Sequence, residues 1–184
     1  MKPFLDRVAA FCRGKSVWVL HYDCGSCNGC DIEVMASLTP LYDAERFGVL
    51  LVGSPRQADV LLVTGTVNHR NRLVLRSLYD QMAPPKAVVA VGACALTGGI
   101  FHDSYNVLDG ADRVVPVTVY VPGCPPKPER ILDGILQAAA VLAAGGDGSG
   151  GDHMAGAGGP AAGGGGGRGG GVAAGGDHGA PGGA

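Results

Sequence analysis

No stretch of this 184-residue sequence approaches the roughly 18–20 consecutive apolar residues that a membrane-spanning helix needs. The start, MKPFLDRVAAFCRGK, lacks an uninterrupted apolar segment and a small-residue cleavage site, so no signal peptide is expected. Charge of one sign is not in excess: 14 Lys and Arg stand against 16 Asp and Glu. That balance excludes nucleic acid as a main partner, which would show as a basic surplus. Nor is there a nucleotide fingerprint, because Gly98-Gly99 is too short for one. A second pair of close cysteines, as structural zinc knuckles use, is also missing.

Glycine is scarce where a fold could form and abundant where it could not. Of 33 glycines, 21 fall in residues 145–184, a segment with four charged residues and no aromatic. Such a composition cannot bury enough apolar surface to offset chain entropy, so residues 145–184 are expected to be a disordered Gly/Ala-rich tail. Residues 1–144 form the expected single domain, with 13 basic and 13 acidic residues. A chain of that length can bury about 68–70% of its unfolded surface without staples.

Along this body, Pro3–Arg13 reads as a short helix closed by Gly14, with Cys12 as an inert buried thiol beside Phe4, Leu5, Val8 and Phe11. Apolar runs at 16–21, 49–52, 59–64 and 87–91, and one within 113–121, read as strands. Helices are expected over 31–38, with Ile32, Met35 and Leu38 on one face, and over 70–82, with Leu73, Leu78 and Met82 on one face. A third follows from Pro128 to Ala143, with proline at its first turn. Continuous Val/Leu strands alternating with helices mean a parallel sheet covered on both faces. The fold class is therefore α/β: a flavodoxin-like, doubly wound parallel sheet.

Six cysteines without a secretion signal are not expected to be disulfides. Ligands of open α/β sheets sit outside the carboxyl ends of the strands. Cys24, Cys27 and Cys30 follow the strand at 16–21, Cys94 follows the one ending at Val91, and Cys124 the one ending at Val121. Five thiols thus gather at one sheet edge, in glycine-rich loops that allow close backbone approach. The helix near Asp31 turns its positive end toward Cys30, which suits an anionic thiolate-bound group. Thiolates in tetrahedral array fit zinc or iron–sulfur. One close pair plus two distant cysteines favours the larger iron–sulfur cluster, while a thioredoxin-like pair would leave Cys94 and Cys124 unexplained.

At these residues the sequence resembles the small iron–sulfur subunit family shared by respiratory complex I (the 20-kDa, B-type subunit of NADH-quinone oxidoreductase) and the nickel–iron hydrogenases. CGSCNGCDIEV, DAERFG, SPRQADVLLVTGTV, VGACALTGG and VPGCPPKPERILDGI carry the resemblance, which covers about residues 17–143. It implies one [4Fe-4S] cluster held by Cys27, Cys30, Cys94 and Cys124, with Cys24 a buried spectator. Complex I has adjacent cysteines where this chain has Gly29 before Cys30, and the Cys27-x-x-Cys30 spacing is that of hydrogenase small subunits. The closest resemblance is to the membrane-bound, energy-converting hydrogenases, the formate hydrogenlyase type included.

The implied role is electron transfer between a ferredoxin-like iron–sulfur subunit and a large catalytic subunit, of nickel–iron or quinone-pocket type. The chain would be a subunit of an oxidoreductase complex, not catalytic alone, held peripherally on the cytoplasmic side of the membrane through membrane subunits. Passing electrons toward quinone in complex I is the alternative. A zinc-stabilised binding module is the alternative of another class. Glu33 corresponds to a proton relay near the partner's active site, or is a carboxylate stabilised by the helix dipole. Arg46 and Arg56 are expected in salt bridges, Arg70, Arg72 and Arg76 on a solvated helix face. His21, His69 and His102 remain unneeded as ligands.

Overall fold

The computed structural model describes residues 11–146 apart from Arg13. The proposed tail and most of the N-terminal segment lie outside the described residues. Five strands form one sheet: β1 (Val17–Asp23), β2 (Val49–Leu51), β3 (Val60–Thr64), β4 (Ala87–Val91) and β5 (Val119–Val121). Their order is β2-β1-β3-β4-β5 and every pairing is parallel. That is the flavodoxin-like order, with its crossover reversing between β1 and β3.

Central strands β3 and β4 are buried along their whole length, which is why they are continuous runs of Val, Leu and Ala. Four helices cover them: α1 (Gly29–Ser37), α2 (Asn71–Gln81), α3 (Gly92–Thr97) and α4 (Pro128–Ala143). On one face Val19, Leu62 and Val89 pack with Val34 of α1 and with Ile131, Ile135 and Leu142 of α4. The other face joins Leu61, Val63 and Val88 to Leu75 and Tyr79 of α2 and Ala95 of α3. Gly134 lets α4 lie against β5, because a methyl there would overlap Val121.

The α/β class and the bounds of β4 and α4 agree with the sequence reading. Several local expectations do not. Gly14 and Lys15 are helical, with Ser16 N–H on the Cys12 carbonyl at 3.0 Å, so Gly14 does not close the expected helix. Cys12 itself is exposed, not buried. In α1 the buried positions are Cys30, Val34 and Ser37, while Ile32 and Met35 are 65% and 53% exposed. Helix α2 buries Leu75 and Tyr79 and leaves Leu73 in solvent. Cys94 lies inside the short helix α3 and Cys30 inside α1, where loops were expected.

Candidate metal centre

Three strand ends build the site. β1 runs into the turn 23–28, whose shape is set by Asp23: its Oδ1 accepts the N–H groups of Gly25 and Ser26, both at 2.8 Å. Asn28 follows in the left-handed conformation and α1 opens at Gly29. β4 ends at Val91 and turns directly into α3 through Gly92, at φ +84°. β5 ends at Val121 and leads through Gly123 to Cys124 and two prolines. The Ala93 N–H bonds the Gly123 carbonyl at 2.8 Å, which ties the second and third of these segments together.

The thiols nest among these backbones at positions that have no side chain. A Cβ on Gly92 would stand 2.5 Å from Cys30 Sγ, and one on Gly99 3.0 Å from Cys94 Sγ. A Cβ on Gly29 would stand 3.5 Å from Cys27 Sγ and 3.9 Å from Pro125. Glycine here leaves room for sulfur and for whatever sulfur binds.

Electrostatics show which thiols share the space. Burial pushes the Cys30 thiol up to about 11, and charge on Cys94, Asp31, Cys124 and Cys27 pushes the same way. Cys94 is raised first by burial, then by Cys124 and Cys27. Cys30 and Cys94 therefore feel the charge of the other thiols, and a group that accepts thiolates here must carry compensating positive charge. A metal or metal cluster does so. Exposure is graded across the set: Cys30 is buried, Cys94 intermediate, Cys27 and Cys124 exposed.

Cys24 is different. It is wholly buried among Leu61, Val63 and Leu75, in the core on the opposite face of the sheet from Cys30. Its thiol is pushed up to about 12 by burial and then by Asp23, not by another thiol. Of the five cysteines expected at the sheet edge, Cys30 and Cys94 feel the charge of Cys27 and Cys124, whereas Cys24 lies in the core of the opposite face.

Several other residues gain a place. His21 lies at the same edge, with Nε2 3.0 Å from Asp31 Oδ1 and 3.0 Å from Thr64 Oγ1. Burial would raise the Asp31 carboxyl, but hydrogen bonds from Ser26 and Thr64 and the imidazole of His21 outweigh it and hold the group below its ordinary value. Asp31 is the residue sequence reading missed. Its signal was a carboxylate next to a cysteine at a helix start, beside a Ser two positions before the turn closes. Glu33 is partly exposed on α1. Arg46 lies over the Phe47 ring at 4.9 Å, and neither Arg46 nor Arg56 pairs with a carboxylate among the described residues. Arg76 pairs with Asp80, and Arg70 and Arg72 are exposed. The His102 side chain pairs with Asp103 at 3.1 Å and lies 3.8 Å from Asp109, while its backbone N–H bonds the Gly99 carbonyl.

Residues 27–138 match the family described as the 20 Kd subunit of NADH ubiquinone oxidoreductase, a span that includes Cys27, Cys30, Cys94 and Cys124. The chain belongs to that family. A probable membrane-bound hydrogenase subunit of Pyrococcus furiosus is 53% identical over 139 residues, covering 74% of this chain and 83% of its relative. A B-type NADH-quinone oxidoreductase subunit of Cytophaga hutchinsonii is 54% identical over 134 residues, 72% of each chain. Among solved structures, a chain of the archaeal membrane-bound sulfane sulfur reductase, a respiratory membrane complex, superposes with a TM-score of 0.65 at 39% identity, covering 76% of this chain and 77% of its own. Relatives in the 20 Kd subunit family are thus subunits of oxidoreductase complexes of both the hydrogenase and the NADH-quinone type. No helix among the described residues is long and apolar enough to cross a membrane.

Proposed function

We propose that the chain is an electron-transfer subunit that holds one [4Fe-4S] cluster on Cys27, Cys30, Cys94 and Cys124, in an energy-converting, nickel–iron-hydrogenase-like complex. What supports this reading is that Cys30 and Cys94 feel the charge of Cys27 and Cys124 across three strand ends, with glycines at 29, 92 and 99 beside the sulfurs of Cys27, Cys30 and Cys94.

When bound, the cluster supplies one-electron chemistry whose potential its surroundings set. The chain's own residues provide the surroundings. Cys30 and α1 bury one side against the sheet; Pro125 and Gly123 close another. The exposed sulfurs of Cys27 and Cys124 face outward, the side from which a partner's redox centre can approach. On α1 and just after α3, elements that also carry Cys30 and Cys94, Ile32, Met35 and Ile100 leave large apolar groups in solvent, Ile100 at 86%. Exposed apolar area beside a redox site marks a contact surface for another subunit. We assign that surface to the large catalytic subunit, with a ferredoxin-like subunit as the other electron partner and attachment to the membrane through further subunits. Glu33, on the same helix, is assigned as a carboxylate able to carry protons at this face.

The second reading, transfer toward quinone in a complex I, is favoured by the 54% identity to an NADH-quinone oxidoreductase subunit. Gly29 weighs on the hydrogenase side. A Cβ there would stand 3.5 Å from Cys27 Sγ, and on the hydrogenase reading Cys27 serves the corner that an adjacent cysteine serves in complex I. The test is anaerobic purification of the complex captured on a tagged copy of this chain. Iron and sulfide in equal amounts per chain, together with nickel in the captured partner, are expected. Iron and sulfide without nickel would move the assignment to the quinone-reducing type, and zinc alone would overturn both.

A further inference from the structure

Under the Cys27–Cys30 turn lies a closed set of polar contacts that the four ligands do not explain. Asp31 follows Cys30 in the first turn of α1. Its Oδ1 receives the Thr64 hydroxyl at 2.6 Å and His21 Nε2 at 3.0 Å, and its Oδ2 receives the Ser26 hydroxyl. Both His21 and Asp31 are largely enclosed, with side chains 19% and 18% exposed. Ser26 Oγ also accepts the Asn28 N–H at 3.0 Å, so the hydroxyl links Asp31 to the backbone between Cys27 and Gly29.

Proton accounting fixes the charge. An ionised carboxylate only accepts, so all three contacts on Asp31 are donors. Thr64 donates its one proton to Asp31, and its oxygen is therefore the acceptor for His21, whose Nε2 carries the hydrogen. The network is satisfied with Asp31 as an ionised carboxylate that accepts from all three partners. A fixed negative charge then sits one residue from a ligand, in a half-enclosed place where solvent screens it less than at the surface.

From this juxtaposition we infer that Asp31 positions the Cys27–Cys30 turn and holds the redox group bound there at a more reducing potential than a neutral residue would. The inference rests on the cluster reading above. Adding an electron beside a fixed carboxylate is opposed by repulsion, and the three donors set how strongly that charge is felt. Removing the charge and removing a donor must therefore act with opposite sign. No general loosening of the fold predicts that.

The test is a redox titration of the holo complex monitored by electron paramagnetic resonance, with iron measured per chain, for wild type, Asp31→Asn and Thr64→Val. Asp31→Asn keeps the shape and a hydrogen-bonding group and should shift the potential in the positive direction. Thr64→Val keeps the charge but removes one donor and should shift it in the negative direction. Unchanged potentials, or shifts of the same sign, overturn the inference. If Asp31→Asn does not retain iron, Thr64→Val decides alone, and a positive or absent shift there overturns it. A wild-type complex without an iron–sulfur signal overturns the cluster reading instead, so the two failures are distinct.

Discussion

Gly92→Ala offers the sharpest perturbation of the site, since it adds one methyl where β4, α3 and the Cys30 sulfur meet. Gly92 has φ +84°, and a Cβ there would stand 2.5 Å from Cys30 Sγ and 3.6 Å from the Gly123 carbonyl oxygen. Left-handed backbone costs a residue with a Cβ about 1–2 kcal/mol. An ordinary nonbonded contact is about 3.5–4.0 Å, so the methyl overlaps the sulfur deeply, and overpacking of this kind typically costs about 1–3 kcal/mol. The combined strain, about 2–5 kcal/mol, is below the roughly 5–15 kcal/mol that holds a domain together. The cheapest relief is rotation of the Cys30 thiol out of its place. The fold should therefore survive while the site does not.

At about 1.4 kcal/mol for each tenfold in affinity, that strain carried by the ligand predicts iron retention weakened between roughly thirtyfold and a few thousandfold. Iron and sulfide per chain, measured beside the melting temperature, provide the assay. Two other glycines give the controls. Gly53→Ala meets nothing within 4 Å and should change neither quantity. Gly134→Ala overlaps Val121 beneath α4, ten residues along the chain from the nearest ligand, Cys124, and should lower the melting temperature by several degrees with iron intact in the folded fraction. A Gly92→Ala chain with full iron, or one that loses iron only in step with its stability as Gly134→Ala does, would refute the placement of Cys30 in the site.

Replacing Cys27, Cys30, Cys94 or Cys124 by Ala should each strip iron, whereas Cys24→Ala and Cys12→Ala should retain it; iron analysis of the six chains decides. Because burial pushes the Cys24 thiol from 9.0 up to about 12, the fold favours its neutral form. The stability this contributes is fully present below pH 9 and is lost as pH rises toward 12, on the order of 4 kcal/mol over the whole window. Urea unfolding of the iron-free chain should show this alkaline loss, and Cys24→Ala should remove most of it. Met35→Glu and Ile100→Glu alter side chains already in solvent, so they should leave the chain's melting temperature unchanged while abolishing co-purification of the large subunit; retention of the partner by both would count against the assigned face.

Where one periodicity dominated, the fold was legible in the sequence. The runs AVVAV and Pro128–Ala143 are unambiguous, and each forms the element expected. In α2, by contrast, apolar residues at 73, 74, 75, 78, 79 and 82 support more than one stripe. The stripe that faces the sheet is Leu75, Tyr79 and then Met82, at helical spacing, and it leaves Leu73 outside. Propensity cannot choose between such stripes; the angle at which the helix meets β3 and β4 does. Strand order was likewise invisible, because hydrogen-bonded neighbours are set by tertiary packing rather than by any local pattern.

Helix α1 shows how function hid a core stripe. Cys30, Val34 and Ser37 repeat at i, i+4 and i+7 and are the buried face, yet a serine does not read as a core residue and Cys30 reads as a ligand. Assigning Cys30 to the ligand set removed it from the apolar pattern and left Ile32 and Met35 to define the wrong face. In fact Cys30 does both: its backbone is anchored in the core while its sulfur reaches the shared space against Gly92. The same geometry separates the two Cys-x-x-Cys pairs, which spacing could not do. Cys24 continues β1, its N–H bonding the Thr64 carbonyl at 2.9 Å and its carbonyl accepting Asn71 Nδ2, so its side chain drops into the α2 core. Three residues later the turn held by Asp23 has reversed the chain, and Cys27 emerges on the side of the sheet edge where Cys30 and Gly29 stand. A site drawn from α1 also forces α1's remaining apolar residues outward, beside the exposed sulfurs. Ligand geometry and partner surface are thus two consequences of one helix orientation, and a change that rotates α1 must disturb both together.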